Sequence, residues 1–273
     1  MAVSRRDFLA RTALAGGAAF GMPALPAQAK VRRAAPALVD APVRWLDDTP
    51  PVRHDGLTWG VPWPRGTKRA KAAFAMRDAE GREVPVQSWT TATWPDGSIK
   101  WTAHAIPAGA APGVAARIGP GRGGAAAQVI RVAEQADAIE VSTGPVQWRI
   151  ARVGENIILS ARRGTTEILR NVGLVATTQD KPDSDGEETI TTRAYRGRIT
   201  RATIEQCGPV RAVVRVQGVH GGGGRDWLPF SMRLYFYAGS ENVRVVHSFI
   251  FDGDEQKDFI RGPGLTGGVP MRD

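Results

Sequence analysis

The chain contains 273 residues, 42% of them hydrophobic, which suits one large or two ordinary globular domains with a buried core. Its 36 lysines and arginines exceed its 27 acidic residues, and the formal net charge of +9 favours a polyanionic partner, although a soluble arginine-rich surface is the simpler explanation. A single cysteine, Cys207, excludes an intrachain disulfide, and the absence of a recognition motif argues against nucleic acid as the partner.

The first 29 residues have the features of a twin-arginine export signal. Arg5 and Arg6 stand in the sequence Ser-Arg-Arg-Asp-Phe-Leu, a weakly apolar run follows at 13–20, and the tripeptide Ala-Gln-Ala ends at Ala29. We therefore predict a signal peptide, disordered or helical, that is cleaved after Ala29. The mature protein would be periplasmic or extracellular, with no membrane association after export. An amphipathic N-terminal helix with a chance arginine pair is the less favoured alternative.

The first predicted domain covers 42–125 and follows a short leader at 30–41. Five or six short strands, separated by glycines and prolines, fit within 42–107, and that spacing predicts a small β-barrel or sandwich. The glycine- and alanine-rich stretch 108–127 is predicted to be a domain linker or a long surface excursion. Trp59 and Trp63 either fill the core of this domain or form a platform for a sugar ring, and packing is the commoner fate of such residues.

The clearest element of this domain is a hairpin between Trp89 and Ile106. Its turn is Trp94-Pro95-Asp96-Gly97, in which proline fixes φ at the second position and glycine accepts a positive φ at the last. Period-two alternation then divides the second strand into two faces. The face with Ile99, Trp101, Ala103 and Ala105 is predicted to face the core, and the face with Ser98, Lys100, Thr102 and His104 is predicted to face solvent.

The second predicted domain covers 128–255 and is an antiparallel β-sandwich. Apolar residues alternate strictly with polar ones from Leu228 to Tyr237, and the return strand runs from Val243 to Phe251. The remaining residues, 256–273, show neither strand nor helix pattern and are predicted to be an incomplete approach to a third domain. Cys207, within an apolar run, is predicted to be a small buried residue.

An acidic loop at 179–188 interrupts this domain. Asp183, Asp185 and Glu187 alternate as calcium ligands can, but the full calcium-loop pattern is missing. A solvated loop is the better interpretation, and we predict neither a metal site nor a cofactor.

Five stretches together resemble one family, the exo-acting rhamnogalacturonan lyases of polysaccharide lyase family 26 and their bacterial relatives. They are LTWGVPWPRG (57–66), VPVQSWTTATWPDGSIKWTAHAI (84–106), GPVRAVVRVQG (208–218), RLYFYAGSENVRVVHSFIFDGDE (233–255) and DFIRGPGLTGGVPMRD (258–273). The resemblance implies a small N-terminal barrel, a central β-sandwich and a C-terminal α/α toroid. The chain matches only the first two parts, so we expect an all-β fragment whose third domain belongs to the same polypeptide.

The resemblance also implies β-elimination on a uronate, with acidic polysaccharide as the partner. That reaction needs a base, a cation that neutralises the carboxylate, and an acid at the glycosidic oxygen. No catalytic residue transfers onto a matched position. The candidates for substrate contact have suitable side chains only, and for each a structural role is the commoner one: Arg193, Tyr195, His220, His247, Lys100 and His104.

Two functions from different classes remain. The first is the exported, non-catalytic front of a polysaccharide lyase, which would be inactive alone. The second is a stand-alone secreted carbohydrate-binding or structural protein without turnover. A glycoside hydrolase would need two facing carboxylates, and nothing in the sequence pairs Asp96, Asp226 and Asp252.

Overall fold

Seventeen β-strands make up the regular structure of residues 40–182 and 189–271, which are the residues that the computed structural model describes. The all-β prediction is confirmed, and within these residues no helix is long and apolar enough to span a membrane. The predicted export signal, with Arg5, Arg6 and the cleavage point after Ala29, lies outside the described residues. So do the acidic residues of the possible calcium loop, which are Asp183, Asp185 and Glu187.

The N-terminal barrel is built from two small antiparallel sheets around one core. Its strands are β1 (Ala41–Arg44), β2 (Leu57–Pro62), β3 (Phe74–Asp78), β4 (Glu83–Val84), β5 (Gln87–Thr93), β6 (Ile99–Ile106) and β7 (Ala115–Pro120). They pair in the orders β1-β7-β3-β4 and β2-β6-β5. Trp63, Phe74 and Met76 lie at the centre of the core, so packing is the role of Trp63. The segment 108–127 is not merely a linker, because β7 lies within it and pairs with β1 and β3.

The predicted hairpin is β5 and β6, but its two faces are not divided as predicted. The turn is confirmed: the Gly97 N–H donates to the Trp94 carbonyl at 2.9 Å, and Gly97 has φ of 78°. Trp101, however, is 41% exposed, whereas Thr102 and His104 are fully buried. The prediction from polarity alone was therefore wrong for these three residues.

Hydrogen bonds explain why polar residues of β6 lie in the barrel core. The Trp63 indole N–H donates to Thr102 Oγ1 at 2.8 Å, and His104 Nε2 lies 2.6 Å from the same oxygen. Ser88 Oγ lies 2.7 Å from His104 Nδ1, so both ring nitrogens have partners. Part of the opposite face of β6 is buried too, since Ala105 packs against the second domain. Where both faces are covered, hydrogen bonding and not polarity decides which side chains face the core.

The second domain is one long antiparallel sheet that folds over on itself. Its strands are β8 (Arg131–Glu134), β9 (Ala138–Ser142), β10 (Gln147–Ala151), β11 (Asn156–Arg163), β12 (Thr166–Gln179), β13 (Thr192–Cys207), β14 (Arg211–Gly222), β15 (Arg225–Tyr237), β16 (Arg244–Phe249) and β17 (Phe259–Gly268). Strand β12 pairs first with β11 and then with β13, so it passes from one layer to the other. Trp148 on β10 contacts Phe236 on β15 across the core, with ring centroids 5.8 Å apart.

Two predictions about the second domain were wrong. The segment 256–273 contains β17, which pairs with β12 along its length, although glycines and a proline conceal the strand pattern. Cys207 is exposed at the end of β13 and is not a small core residue. Local composition does not show that β12 supplies the hydrogen bonds of β17, and it does not show whether the end of β13 is covered by other residues.

The side chain of Gln87 in the barrel forms hydrogen bonds to the backbone of the sandwich. Its Oε1 accepts from the backbone N–H groups of Val210 and Arg211 at 3.0 and 2.8 Å, and its Nε2 donates to the Arg211 carbonyl at 3.2 Å. Nearby, Ala105 of the barrel packs with Val210 and Tyr237 of the sandwich. The barrel and the sandwich therefore share a hydrogen-bonded, apolar junction.

Replacing Gln87 by alanine should lower the free energy of unfolding by about 2 kcal/mol, because it leaves two N–H groups and one carbonyl without their partner. Urea denaturation followed by circular dichroism would measure the loss. Gln147→Ala, at an exposed glutamine on β10, is the matched control and should change stability little. Equal losses in the two variants would show that Gln87 does not hold the junction.

Candidate functional site

A groove of about 500 Å³ opens at one end of the sandwich, where several strands begin or end. The end of β12, the start of β13, the start of β15 and the turn before β17 line it together. The lining residues are Thr178, Gln179, Asp180, Thr191, Arg193, Tyr195, Arg225, Asp254, Lys257 and Asp258. Antiparallel pairing places these sequence-distant residues side by side, since β12 pairs with both β13 and β17.

Charges of both signs line the groove, and several are held in ion pairs. Arg225 Nη1 donates to Asp258 Oδ1 at 2.8 Å, and Lys257 Nζ donates to Asp254 Oδ2 at 2.8 Å. The hydrogen bond from Arg225 holds the pKa of Asp258 below its ordinary value, and the same bond raises the pKa of Arg225. Both groups are therefore charged at neutral pH. A groove with such fixed charges and several hydroxyl and amide groups suits a polar ligand.

Aromatic side chains form the floor behind these charges. The rings of Tyr195 and Trp227 meet edge to face with centroids 5.2 Å apart, and the Arg225 guanidinium lies 4.3 Å from the Trp227 ring centroid. Tyr195 is only 5% exposed. Tyr195 therefore belongs to the floor of the groove, and its burial leaves little of the side chain for a ligand to contact.

A histidine pair lies beside this floor, next to the same stretch of β15. The rings of His220 and His247 are 6.2 Å apart, and Phe230 packs edge-on against both of them. His220 Nδ1 bonds the Leu228 carbonyl at 2.9 Å. Each histidine has a buried Nε2 without a hydrogen-bond partner in the described part of the chain.

Burial determines the charge state of these two histidines. It lowers the pKa of His220 and that of His247, and the neighbouring imidazole lowers the latter further. Both rings are therefore neutral near pH 7. His247 is half-buried on the edge strand β16, whereas His220 is only 1% exposed. A ligand can approach His247 but cannot reach His220 without movement of its neighbours.

The two remaining candidates belong to the barrel and not to this site. His104 is completely buried in the hydrogen-bonded core, so its predicted role as a substrate contact is wrong in this structure. Lys100 is half-buried on the hairpin surface, where its ammonium lies 4.7 Å from the Trp94 ring centroid. Four of the six candidates are therefore at one end of the sandwich: Arg193, Tyr195, His220 and His247.

Sequence reasoning missed several other charged residues of the groove, including Arg225, Lys257 and Asp258. Arg225 begins β15, and Lys257 and Asp258 lie in the polar stretch before β17, which looks like an ordinary solvated loop in the sequence. These charges do not indicate a groove in the sequence, because the groove forms only when β17 pairs with the distant strand β12.

The arrangement can bind and orient a carboxylate through arginine and lysine side chains. Its described residues do not present a hydrogen-bonded base and acid of the kind that proton abstraction requires. Among residues 40–182 and 189–271, no cluster of three or more His, Cys, Asp or Glu side chains is placed to hold a metal ion.

The carboxylates considered for glycoside hydrolysis are each engaged elsewhere. Asp96 pairs with Arg65 in the barrel, and Asp226 pairs with Arg198. Asp252 Oδ1 accepts from the Leu228 N–H at 2.7 Å. No pair of facing carboxylates results from these three residues.

Known families and proteins match this chain over both domains. The model for the PcRGLX-like protein central beta sandwich domain matches residues 130–273, and that for the PcRGLX-like N-terminal RIFT barrel domain matches residues 39–121. The uncharacterized protein YetA of Bacillus subtilis (strain 168) is 32% identical over 225 residues, which are 82% of this chain and 26% of YetA. The chain thus spans about a quarter of the length of this relative.

The two domain matches follow the barrel and the sandwich in the order in which the structure places them, and the central-domain match alone covers more than half of the chain. The chain therefore belongs to the PcRGLX-like family, the rhamnogalacturonan lyase-like family that its sequence resembles, through its N-terminal RIFT barrel and central β-sandwich domains.

Proposed function

We propose that the two domains form the non-catalytic, glycan-facing part of an exported lyase that acts on an acidic polysaccharide of the rhamnogalacturonan type. The groove at the sandwich end carries this proposal, because Arg193, Arg225 and Lys257 line it and the Arg225 guanidinium lies over the Trp227 ring. Guanidinium and ammonium groups bind the carboxylates of uronate residues.

Turnover in this proposal depends on groups from elsewhere in the polypeptide. Elimination needs a base beside the acidic C–H and an acid at the leaving oxygen. Tyr195 and His220 are only 5% and 1% exposed, and the Lys257–Asp254 and Arg225–Asp258 pairs hold charged groups of the groove in salt bridges. We therefore assign the chain binding and orientation of the substrate, and assign proton transfer to an α/α toroid domain of the same polypeptide, as the resemblance implies.

The purified chain, starting at Lys30, should bind rhamnogalacturonan without cleaving it. Calorimetry should show binding that weakens with salt, since charged side chains carry it. Ultraviolet absorbance should not rise, because no unsaturated uronate forms. Arg193→Gln should weaken binding by roughly tenfold, the effect of one charge-assisted hydrogen bond.

Arg117→Gln provides the control for net charge, because Arg117 is exposed on β7 of the barrel. It should bind the polysaccharide as the unchanged chain does. A clear rise in absorbance with the unchanged chain would contradict the non-catalytic assignment. Undiminished binding by Arg193→Gln would contradict the groove as the binding site.

We also propose that the protein is exported by the twin-arginine pathway and works outside the cytoplasm. Replacing both Arg5 and Arg6 by lysine should retain the full-length chain in the cytoplasm, because the arginine pair is read as the export address. Cell fractionation and N-terminal sequencing would measure this, and the unchanged protein should begin at Lys30. Export of the double variant at the unchanged level would refute the assignment.

A further inference from the structure

A second concave surface lies at the junction of the two domains, far from the groove. We call it the junction notch. It has a volume of about 220 Å³ and is lined by Trp89 from the barrel and by Glu205, Gln206, Arg211, Val213, Arg233 and Tyr235 from the sandwich. Arg193 at the start of β13 lines the groove, and Glu205 near the end of the same strand lines the notch. At about 3.3 Å per residue, these two residues are roughly 30–40 Å apart along the strand.

Arg211 is the unusual residue of the junction notch. It is only 9% exposed, and its guanidinium carbon lies 4.9 Å from the ring centroids of both Trp89 and Tyr235. Its Nη1 reaches Thr58 Oγ1 at 3.4 Å, a long hydrogen bond, and its Nε has no partner among the described residues. Burial lowers the pKa of this guanidinium from its ordinary value.

A cation buried to this extent is normally paired with a carboxylate, because removing it from water is costly. Within the described residues, Arg211 has no acidic partner within salt-bridge distance. The aromatic rings on either side stabilise its charge only in part, since cation–π contacts are weaker than a charge-assisted hydrogen bond. The charge of Arg211 is therefore not balanced by any carboxylate of the described residues.

The neighbours of Arg211 increase this surplus of positive charge. Arg233 forms a forked pair with Glu205, at 2.6 and 3.0 Å, and Arg215 approaches the same carboxylate at 3.5 Å. Arg244 lies over the other side of the notch, 5.8 Å from the Tyr235 ring centroid. Of the described residues, Glu205 alone forms salt bridges with any of these four arginines.

We propose that the junction notch binds the carboxylate of a single acidic sugar residue, with Arg211 and Arg233 as the cations and Trp89 and Tyr235 as the apolar walls. The anion follows from the unpaired arginine, and the aromatic walls favour a ring with an apolar face over a small inorganic ion. The sugar part of the ligand rests on the proposed function, whereas the anionic part rests on the notch alone. The volume fits one ring and not an extended chain.

Fluorine NMR of the chain labelled with 5-fluorotryptophan tests the junction notch separately from the groove. Trp89 reports on the notch, and Trp227 reports on the groove. Each resonance is assigned from its phenylalanine variant. Digalacturonate should shift the Trp89 resonance, whereas its dimethyl ester and inorganic phosphate should not. If only the Trp227 resonance moves, the notch is not a binding site, although the proposed function stands.

Two variants act in opposite directions and exclude misfolding as the explanation. Arg211→Gln should weaken binding of digalacturonate at Trp89 by at least about tenfold, because it removes the buried cation. Glu205→Gln should strengthen it by at least about threefold, because it removes the competing carboxylate. Arg117→Gln, with the same charge change as Arg211→Gln, should leave it unchanged. An unaltered response in Arg211→Gln, weaker binding in Glu205→Gln, or equal shifts with ester or phosphate would overturn the inference.

Discussion

Replacing Gly218 by alanine should lower the free energy of unfolding by about 3 kcal/mol, because the new methyl group has no space. Gly218 lies on β14, between Ile199 of β13 and Phe230 of β15. A Cβ atom there would stand 2.0 Å from the backbone oxygen of Arg198 and 2.6 Å from Cζ of Phe230. The sheet can relieve that overlap only by separating β13 from β14 or by moving the Phe230 ring out of the core.

The matched control for this substitution is Gly262→Ala on β17. No atom lies within 4 Å of a Cβ built at Gly262, and its φ is in the range that any residue adopts. Its stability should change by less than about 0.5 kcal/mol. Guanidinium denaturation of the two variants and the unchanged chain measures the difference. A loss of less than 1 kcal/mol for Gly218→Ala would show that the sheet accommodates the methyl group easily.

The sequence predicted those parts of the fold that local pattern determines. Alternation identified the long strands β14 and β15, and the Pro-Asp-Gly signal identified the turn at 94–97. These features depend on period-two side-chain placement and on backbone preferences, both of which act within a few residues. The strand β17 was missed because Gly262, Pro263 and Gly264 give no such pattern. Its strand geometry comes from β12, which supplies the hydrogen bonds.

The burial of Thr102 and the exposure of Trp101 on β6 show a different limit. Polarity predicted Thr102 outside and Trp101 inside, and the structure shows the reverse. The decisive information was whether Thr102 and His104 would find partners in the core, and those partners, Trp63 and Ser88, come from other strands. Sequence pattern alone does not contain that information.

The candidate site depends on the same long-range information. Arg193 and Tyr195 were named for their side-chain chemistry alone, and the structure places them together in a groove. The ion pair beside them joins Arg225 at the start of β15 to Asp258 in the turn before β17, and both residues are remote from β13 in sequence. The cations of the junction notch have no such signal in the sequence, because the burial of Arg211 arises only when the barrel's Trp89 packs on it.

Acidification from pH 7 to 4.5 should lower the free energy of unfolding by about 2–3 kcal/mol through His104 alone. Burial lowers the pKa of His104 from the ordinary 6.5 to about 4. As the pH falls below 6.5, the unfolded chain takes up a proton at this ring, whereas the folded chain does not until the pH approaches 4. The stabilisation is therefore complete above pH 6.5 and is lost as the pH falls towards 4.

The depressed pKa values of His220 and His247 act in the same direction, so the full chain should lose stability in excess of the His104 contribution. Asp96, whose hydrogen bonds with Ser98 and Arg65 lower its pKa to about 2, contributes mainly below about pH 4. Urea denaturation at pH 7 and 4.5, for the unchanged chain and His104→Gln, measures the effect. The variant should be less stable at pH 7, because the hydrogen-bonded ring is gone, but should lose less on acidification. An identical acid-induced loss in both proteins, or a His104 proton titration by NMR with a midpoint near 6.5, would show that the buried ring does not control the acid sensitivity of the barrel.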